Sequence, residues 1–276
     1  RRRPAADDDA AEPADDVAAD DWAARAHRAA WGRACAAADR AADADAAHAC
    51  AGPDGASSAD GASADGASAD GGVELIEANK PSEAVFVRAT IHADGRVPGT
   101  RSRGVSTQLS AFVYTATSIM KPSGVRLKTS QWRRIPDNSI PSRAKVNGAY
   151  VNSVLAHQDA LDAGYDDCIF LDQSGHVCEL AAANIFMVRD GTLITPDTSS
   201  DLLEGINRRA ILEMAADAGI PTHERTVDLT ELYIADEVFV CCTSAFVASV
   251  AEIDGRKIDA PNPITQKIAK LHAAAL

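Results

Sequence analysis

Ile140-Pro-Ser-Arg-Ala-Lys145-Val-Asn-Gly-Ala-Tyr150-Val-Asn-Ser153 is the stretch around which the rest of the chain is organised. After Lys145, the apolar positions Val151, Val154, Leu155, Ala160 and Leu161 keep a helical period, and Gly164 supplies a C-terminal stop. The spacing predicts one helix of about four turns with Lys145 at its mouth. Most lysines are solvated surface groups, and one acts as nucleophile or base only when its pKa falls well below about 10.4. What distinguishes Lys145 is its company. Asn147, Gly148, Tyr150 and Asn152 form a polar, small-residue entrance where a bound ring can lie.

Downstream, Cys168–Leu171, Val177–Leu180, Ile185–Val188 and Leu193–Thr195 are short strands. Their turns, 172–175 and 189–191, each carry a glycine where a hairpin needs positive φ, so the pattern predicts a meander. Leu202–Ala218 returns to helical period, and Thr230 is expected to cap a short helix through Ile234. A buried strand follows over Glu237–Thr243, then a strand and turn within Ser244–Ile258 and an amphipathic helix over Pro263–Leu276. Upstream, Val73–Ala78, Ala84–His92, Leu109–Met120 and Val125–Thr129 read as strands, and the polar, Pro-punctuated 132–139 as a crossover. Helices interleaved with antiparallel hairpins give a mixed α+β fold rather than a purely parallel doubly wound sheet.

Three residues in this frame invite a chemical reading. Glu179 interrupts an otherwise apolar strand, and a buried carboxylate costs several kcal/mol unless paired; a protonated pyridine nitrogen would be one partner. Arg88 lies inside the second predicted strand, either as an exposed edge residue or as an anion-binding arginine. Tyr165 follows the helix stop at Gly164 and is as compatible with a half-buried core tyrosine as with a ligand.

The first quarter of the 276 residues is different text. Residues 1–72 contain no Leu, Ile, Met, Phe, Tyr or Lys, and their large apolar side chains are Val17, Trp22 and Trp31. With so little to bury, this segment cannot offset the chain entropy of folding, and low-complexity disorder or a non-native, out-of-frame stretch is expected. Residues 55–72 repeat Gly-Ala-Ser-Ala-Asp units with no apolar position and read as a flexible linker. The expected organisation is therefore 1–72 low-complexity, 73–139 the remnant of a small α/β domain with its crossover, and 140–276 a large ligand-binding domain.

Of the net charge of -13, residues 1–72 carry -8, from seven Arg against fifteen Asp or Glu. Such a balance argues against nucleic acid or an anionic membrane as partner and favours small molecules. No apolar run reaches membrane-spanning length. The six cysteines form no C-x-x-C pair, and Cys168, Cys178, Cys241 and Cys242 lie in apolar, strand-like text, as in a reduced cytoplasmic protein.

Taken in order, several spaced motifs resemble the class IV (fold type IV) pyridoxal-phosphate-dependent aminotransferases, and among them the branched-chain amino acid aminotransferases. They are Ala144–Ala156 around Lys145, Gly164-Tyr165-Asp166 with Leu171-Asp172, Glu179 ahead of Asn184-Ile-Phe186, and Leu193–Pro196. Leu203–Arg208, Glu231-Leu232, Ala235–Phe239, Cys242–Ala245 and Ile253–Gly255 continue the series. The resemblance implies a two-domain fold, a homodimer, and pyridoxal 5'-phosphate as cofactor. It matches Lys145 to the Schiff-base lysine, Tyr165 to the tyrosine on the cofactor's ring hydroxyl, and Glu179 to the glutamate on its pyridine nitrogen. Ile206 and Asn207 match the phosphate-holding helix start, and Thr243 a hydroxyl on the same phosphate. Ser244 and Ala245 match the turn at the substrate carboxylate, and Arg88 an arginine recognising the acidic substrate.

The implied reaction moves an amino group from Leu, Ile or Val to 2-oxoglutarate, between small-molecule amino acids and 2-oxo acids. D-amino acid transamination and aminodeoxychorismate lysis share the fold and stand as alternatives, as does a truncated, catalytically impaired product. The family pattern usually has Thr at Asn207 and Gly at Leu180 and Cys242, where added side chains are expected to crowd the cofactor. Its N-terminal segment, with a phosphate-gripping arginine, has no counterpart in residues 1–72, so the small domain is expected to be incomplete.

Overall fold

The structure is a computed structural model and describes residues 64–93, 100, 104–116, 124–258 and 262–275. The chain divides between Ala116 and Thr117 into two compact units.

In the first unit, helix α1 (Ala64–Asn79) precedes two antiparallel strands, β1 (Val85–Ala93) and β2 (Thr107–Thr115), paired from Val85 opposite Thr115 to Ala93 opposite Thr107. The expected strand at Val73–Ala78 is thus the last part of a helix, and residues 64–72 of the expected linker are helical too. The reason lies in composition: Glu74, Leu75, Glu77 and Ala78 are good helix formers, outweighing the two β-branched residues Val73 and Ile76. The helix stops where Lys80 adopts φ 45° and donates its N–H to Ile76 O at 2.9 Å, just before Pro81, which cannot continue it. Residues 1–63, including the rest of the expected low-complexity segment, lie outside the described residues.

The second unit is built on a nine-stranded mixed sheet. Its strands are β3 (Val125–Arg133), β4 (Asp167–Leu171), β5 (Val177–Leu180), β6 (Asn184–Arg189), β7 (Thr192–Thr195), β8 (Thr222–Glu224), β9 (Glu237–Cys241), β10 (Ala248–Ile253) and β11 (Arg256–Lys257). The order is β5-β4-β3-β10-β9-β6-β7-β8, with β11 pairing β10. β3 runs parallel to both β4 and β10, and β7 to β8, while the other pairs are antiparallel. The predicted glycine turns form, with Gly175 at φ 95° and Gly191 at φ 73°. The predicted meander does not: β4–β5 and β6–β7 are hairpins separated by β3, β10 and β9. Turn chemistry dictates which strands form a hairpin, whereas the order of hairpins depends on distant partners.

Side chains alternate across the sheet with period two, except at a register shift in the β4–β5 pair, where Cys178 and Leu180, two residues apart, join clusters on opposite faces. Ile169, Leu180, Ile185, Met187, Val238 and Val240 face one side, where Val227 and Leu232 close the core. On the other side Cys168, Phe170 and Cys178 pack under helix α2 (Tyr150–Asp162), and Phe186, Val188, Phe239 and Cys241 under α3 (Ile206–Asp217) and α5 (Pro263–Ala274). Phe186 and Phe239 stack at 4.9 Å. Because both faces are covered, β4, β5 and β9 are buried along their whole lengths.

The short helix α4 (Leu229–Leu232) is capped by Asp228 rather than by Thr230, in a box with Glu231, whose carboxylate accepts the Asp228 N–H at 3.0 Å. Cys168, Cys178, Cys241 and Cys242 are free thiols, the first three buried. Among the described residues no helix is long and apolar enough to cross a membrane.

One buried carboxylate holds α5 to the sheet. Glu237, at the start of β9, accepts the N–H groups of Ile264 at 3.0 Å and Thr265 at 2.7 Å, orphan donors of the first helical turn. Glu237→Ala leaves both donors buried and unpaired, and should lower stability by about 1–3 kcal/mol in denaturant unfolding, with Glu237→Gln recovering part of the loss.

Candidate active site

Lys145 lies between two short 3-10 turns, Ser142–Ala144 and Asn147–Ala149, in the left-handed region at φ 50° and ψ 42°. A non-glycine residue there carries backbone strain, a feature that clusters at functional sites. The turn is pinned from outside: Ser142 N–H donates to Asp137 Oδ1 at 2.9 Å, Asp137 N–H to Asp201 Oδ1 at 2.9 Å, and Arg143 pairs with Glu204. Lys145 itself is exposed, and its Nζ donates to Tyr150 Oη at 3.2 Å.

Tyr150, noted in the sequence only as part of a polar entrance, is thus the phenol beside this amine. Tyr165 is held elsewhere: its N–H donates to Ala160 O at 3.0 Å, beyond the helix stop. Its ring packs on the Ala156–Phe170 cluster, with the Arg126 guanidinium 5.1 Å away.

Glu179 is buried, and the partner it requires is a side chain of this chain. Arg134 Nη2 lies 2.8 Å from Glu179 Oε1, while Oε2 accepts Asn184 Nδ2 and the Leu203 N–H, both at 3.2 Å. Burial pushes the Glu179 carboxyl up to about 7. The Arg134 guanidinium, the Leu203 N–H, and the charges of Lys145 and Arg208 pull the other way. The charge of Lys145 is therefore felt at Glu179. A cavity of about 10 Å³, room for one water molecule, is lined by Arg134, Ile140, Lys145, Tyr150 and Leu203, so Arg134 and Lys145 share it.

Arg134 was not recoverable from the sequence, since the second arginine of a polar, proline-bounded stretch looks like a surface residue. The Asn184-Ile-Phe motif was a signal, but not for the contact its Nδ2 makes.

The start of α3 and the turn after β9 are drawn together by Asn207. Its Nδ2 donates to Cys242 O at 2.8 Å, and the same carbonyl accepts the Phe246 N–H at 2.8 Å. Ile206, Asn207, Thr243, Ser244 and Ala245 are thereby brought to one region. The Asn207 side chain is spent on the tether, so an anion here would meet backbone N–H groups and the exposed Thr243. Leu180, where crowding is expected, has its side chain fully buried in the core. Cys242 packs on that core too, with its Sγ 3.4 Å from Ser244 Oγ. Arg88 is exposed on β1, in the first unit, opposite Phe112.

An exposed amine beside a phenol, a buried carboxylate with a donor-accepting edge, and a helix N-terminus suit a phosphorylated aromatic aldehyde. No group of three or more metal-ligating side chains occurs among the described residues.

This fold and these motifs define a class, and the comparison with known families agrees. Residues 72–253 match the family described as amino-transferase class IV, and the chain belongs to that family. A probable branched-chain-amino-acid aminotransferase of Synechocystis is 35% identical over 202 residues, 73% of this chain and 66% of that relative. The branched-chain aminotransferase of Thermoproteus uzoniensis, crystallised with norvaline, superposes with a TM-score of 0.71 at 36% identity, covering 74% of this chain and 68% of that one. That of Thermobaculum terrenum in its PLP form gives a TM-score of 0.69 at 33% identity, covering 74% and 68%. The chain thus spans about two thirds of the length of these relatives.

Gly205 is where this geometry is least tolerant. It precedes α3, and a Cβ there would collide with Asn184 Oδ1, whose amide is already fixed by Glu179 and by Leu203 O at 2.9 Å. Gly205→Ala should cost about 1–3 kcal/mol in unfolding free energy. Combined with Asn184→Ala it should cost less than the sum of the two single changes, because the clash is then gone.

Proposed function

We propose that this chain is a pyridoxal 5'-phosphate-dependent transaminase moving the amino group of Leu, Ile or Val to 2-oxoglutarate. The observation that carries the proposal is the exposed Lys145 amine, hydrogen-bonded to Tyr150 and within the electrostatic reach of buried Glu179. The names of the relatives support the substrate class.

When bound, the cofactor supplies an aldehyde to receive the amino group and a ring that spreads the electron pair left at the substrate Cα. Lys145 is the residue that would hold the aldehyde carbon covalently. Its free amine would serve as general base and then general acid, carrying the substrate Cα proton. Tyr150, 3.2 Å from that amine, would orient it and take the ring-hydroxyl contact for which Tyr165 was expected. Glu179 would hold a proton at the ring nitrogen. The N–H groups of Ile206 and Asn207, with the Thr243 hydroxyl, would hold the phosphate. Ser244 and Ala245 would face the substrate carboxylate.

A cytoplasmic setting is consistent with four free thiols. A homodimer would cover the outward face of α2, where Val151, Val154 and Leu155 are 63%, 65% and 42% exposed at one-turn spacing. Val154→Asp should shift the protein from dimer to monomer in sedimentation.

Adding pyridoxal 5'-phosphate should produce a visible absorbance band that Lys145→Ala abolishes, and turnover of Leu, Ile and Val with 2-oxoglutarate. Activity with D-Ala alone would contradict the proposed substrate class, and no band would mean that the chain cannot hold the cofactor.

A further inference from the structure

Arg134 and Glu179 form an ion pair with both side chains more than nine-tenths buried. Pairs of this kind are seldom kept for stability, because well-packed apolar residues of the same volume do as well or better. This one carries an added cost, since the Arg134 Nε–H is buried with no hydrogen-bond partner.

The arginine is nevertheless held firmly. Its backbone N–H donates to Leu171 O at 2.9 Å, and Gln173 Nε2 donates to its carbonyl at 2.9 Å. Nη1 donates to Ser153 Oγ at 3.3 Å, and the guanidinium lies 5.7 Å from the Phe170 ring. Elements on three sides, β3, β4 and α2, thus aim one charge at one carboxylate oxygen. That guanidinium also lines the small cavity it shares with Lys145.

We infer that Arg134 is a positioning residue of the active site, holding Glu179 ionised and in one orientation so that the carboxylate can retain a proton on the cofactor's ring nitrogen. This rests on the cofactor assignment above.

The other charges facing Glu179 are Lys145, from the turn before α2, and Arg208, from α3. Its neighbour Cys178 is kept neutral by burial. Of these charges Arg134 opposes the burial most strongly. The pH dependence follows. The folded carboxyl lies at about 7 against 4.5 for the free group, so the folded protein binds more protons than the unfolded chain between those values. Stability therefore falls as pH rises through that window and levels off above it. Without Arg134 the folded carboxyl moves higher still, and the fall extends to higher pH.

The test is denaturant unfolding of the cofactor-free protein against pH, for the wild type and the Arg134→Met, Arg134→Lys, Glu179→Gln and Arg134→Met/Glu179→Gln variants. Arg134→Met should shift the end of the decline upward by about one pH unit or more. Arg134→Lys should shift it less, and both variants with Gln at 179 should lose the decline. With cofactor bound, Arg134→Met should lower kcat at neutral pH by about tenfold or more with little change in KM, regained as pH rises, and Arg134→Lys should restore part of it.

A profile for Arg134→Met that overlays the wild type would overturn the inference. If Arg134→Met does not fold, the double variant, which leaves no unpaired buried charge, decides: folding supports charge pairing, and failure beside a folded Glu179→Gln reduces Arg134 to a scaffold. Because the unfolding experiment uses no cofactor, a failure of cofactor binding in the wild type is read separately.

Discussion

A carboxylate buried in the fold, Glu179 on β5, is the constraint on which the rest of the site depends. It cannot stay charged without compensation, and the chain supplies that compensation from three places: Arg134 at the end of β3, Asn184 at the start of β6, and the Leu203 N–H before α3. Each contact also fixes a piece of backbone. Asn184 in turn requires a glycine at 205, and Gly205 sets where α3 begins. The electrostatics of one group thereby position the lysine turn on one side and the helix N-terminus on the other.

Around that centre the sheet behaves as a rigid frame. Its parallel core of β4, β3 and β10 continues through β9 into the β6–β7 hairpin, and both faces are sealed. The departures from the family pattern are absorbed by this frame: Leu180 turns into the core, Cys242 packs against it, and Asn207 ties α3 to the turn after β9.

Much of this was legible in the sequence for local reasons. The hairpin glycines, the period of α2 and its stop at Gly164, and the anomaly of a glutamate in apolar text are all short-range signals. So was the need of Glu179 for a partner, though not the partner's identity. Arg134 lies far from Glu179 along the chain, and nothing local marks it as buried. The order of the hairpins was hidden for the same reason, because β3, β9 and β10 enter between them from distant segments. At α1 the error was one of weighting: a six-residue run with two β-branched residues looked like a strand, but its glutamates, leucine and alanine carry the helix preference. Tyr150 and Tyr165 each follow Lys145 within the same motif series, and only the geometry shows that the phenol hydrogen-bonded to the Lys145 amine is that of Tyr150.

The central claim is that Lys145 is the one amine this fold prepares for a carbonyl cofactor. Treating the protein with pyridoxal 5'-phosphate, reducing with borohydride to fix any adduct, and mapping the modified peptide by mass spectrometry tests it directly. The account predicts a single stoichiometric adduct on Lys145. Labelling spread over the chain's other lysines, or a principal adduct on any of them, would contradict it.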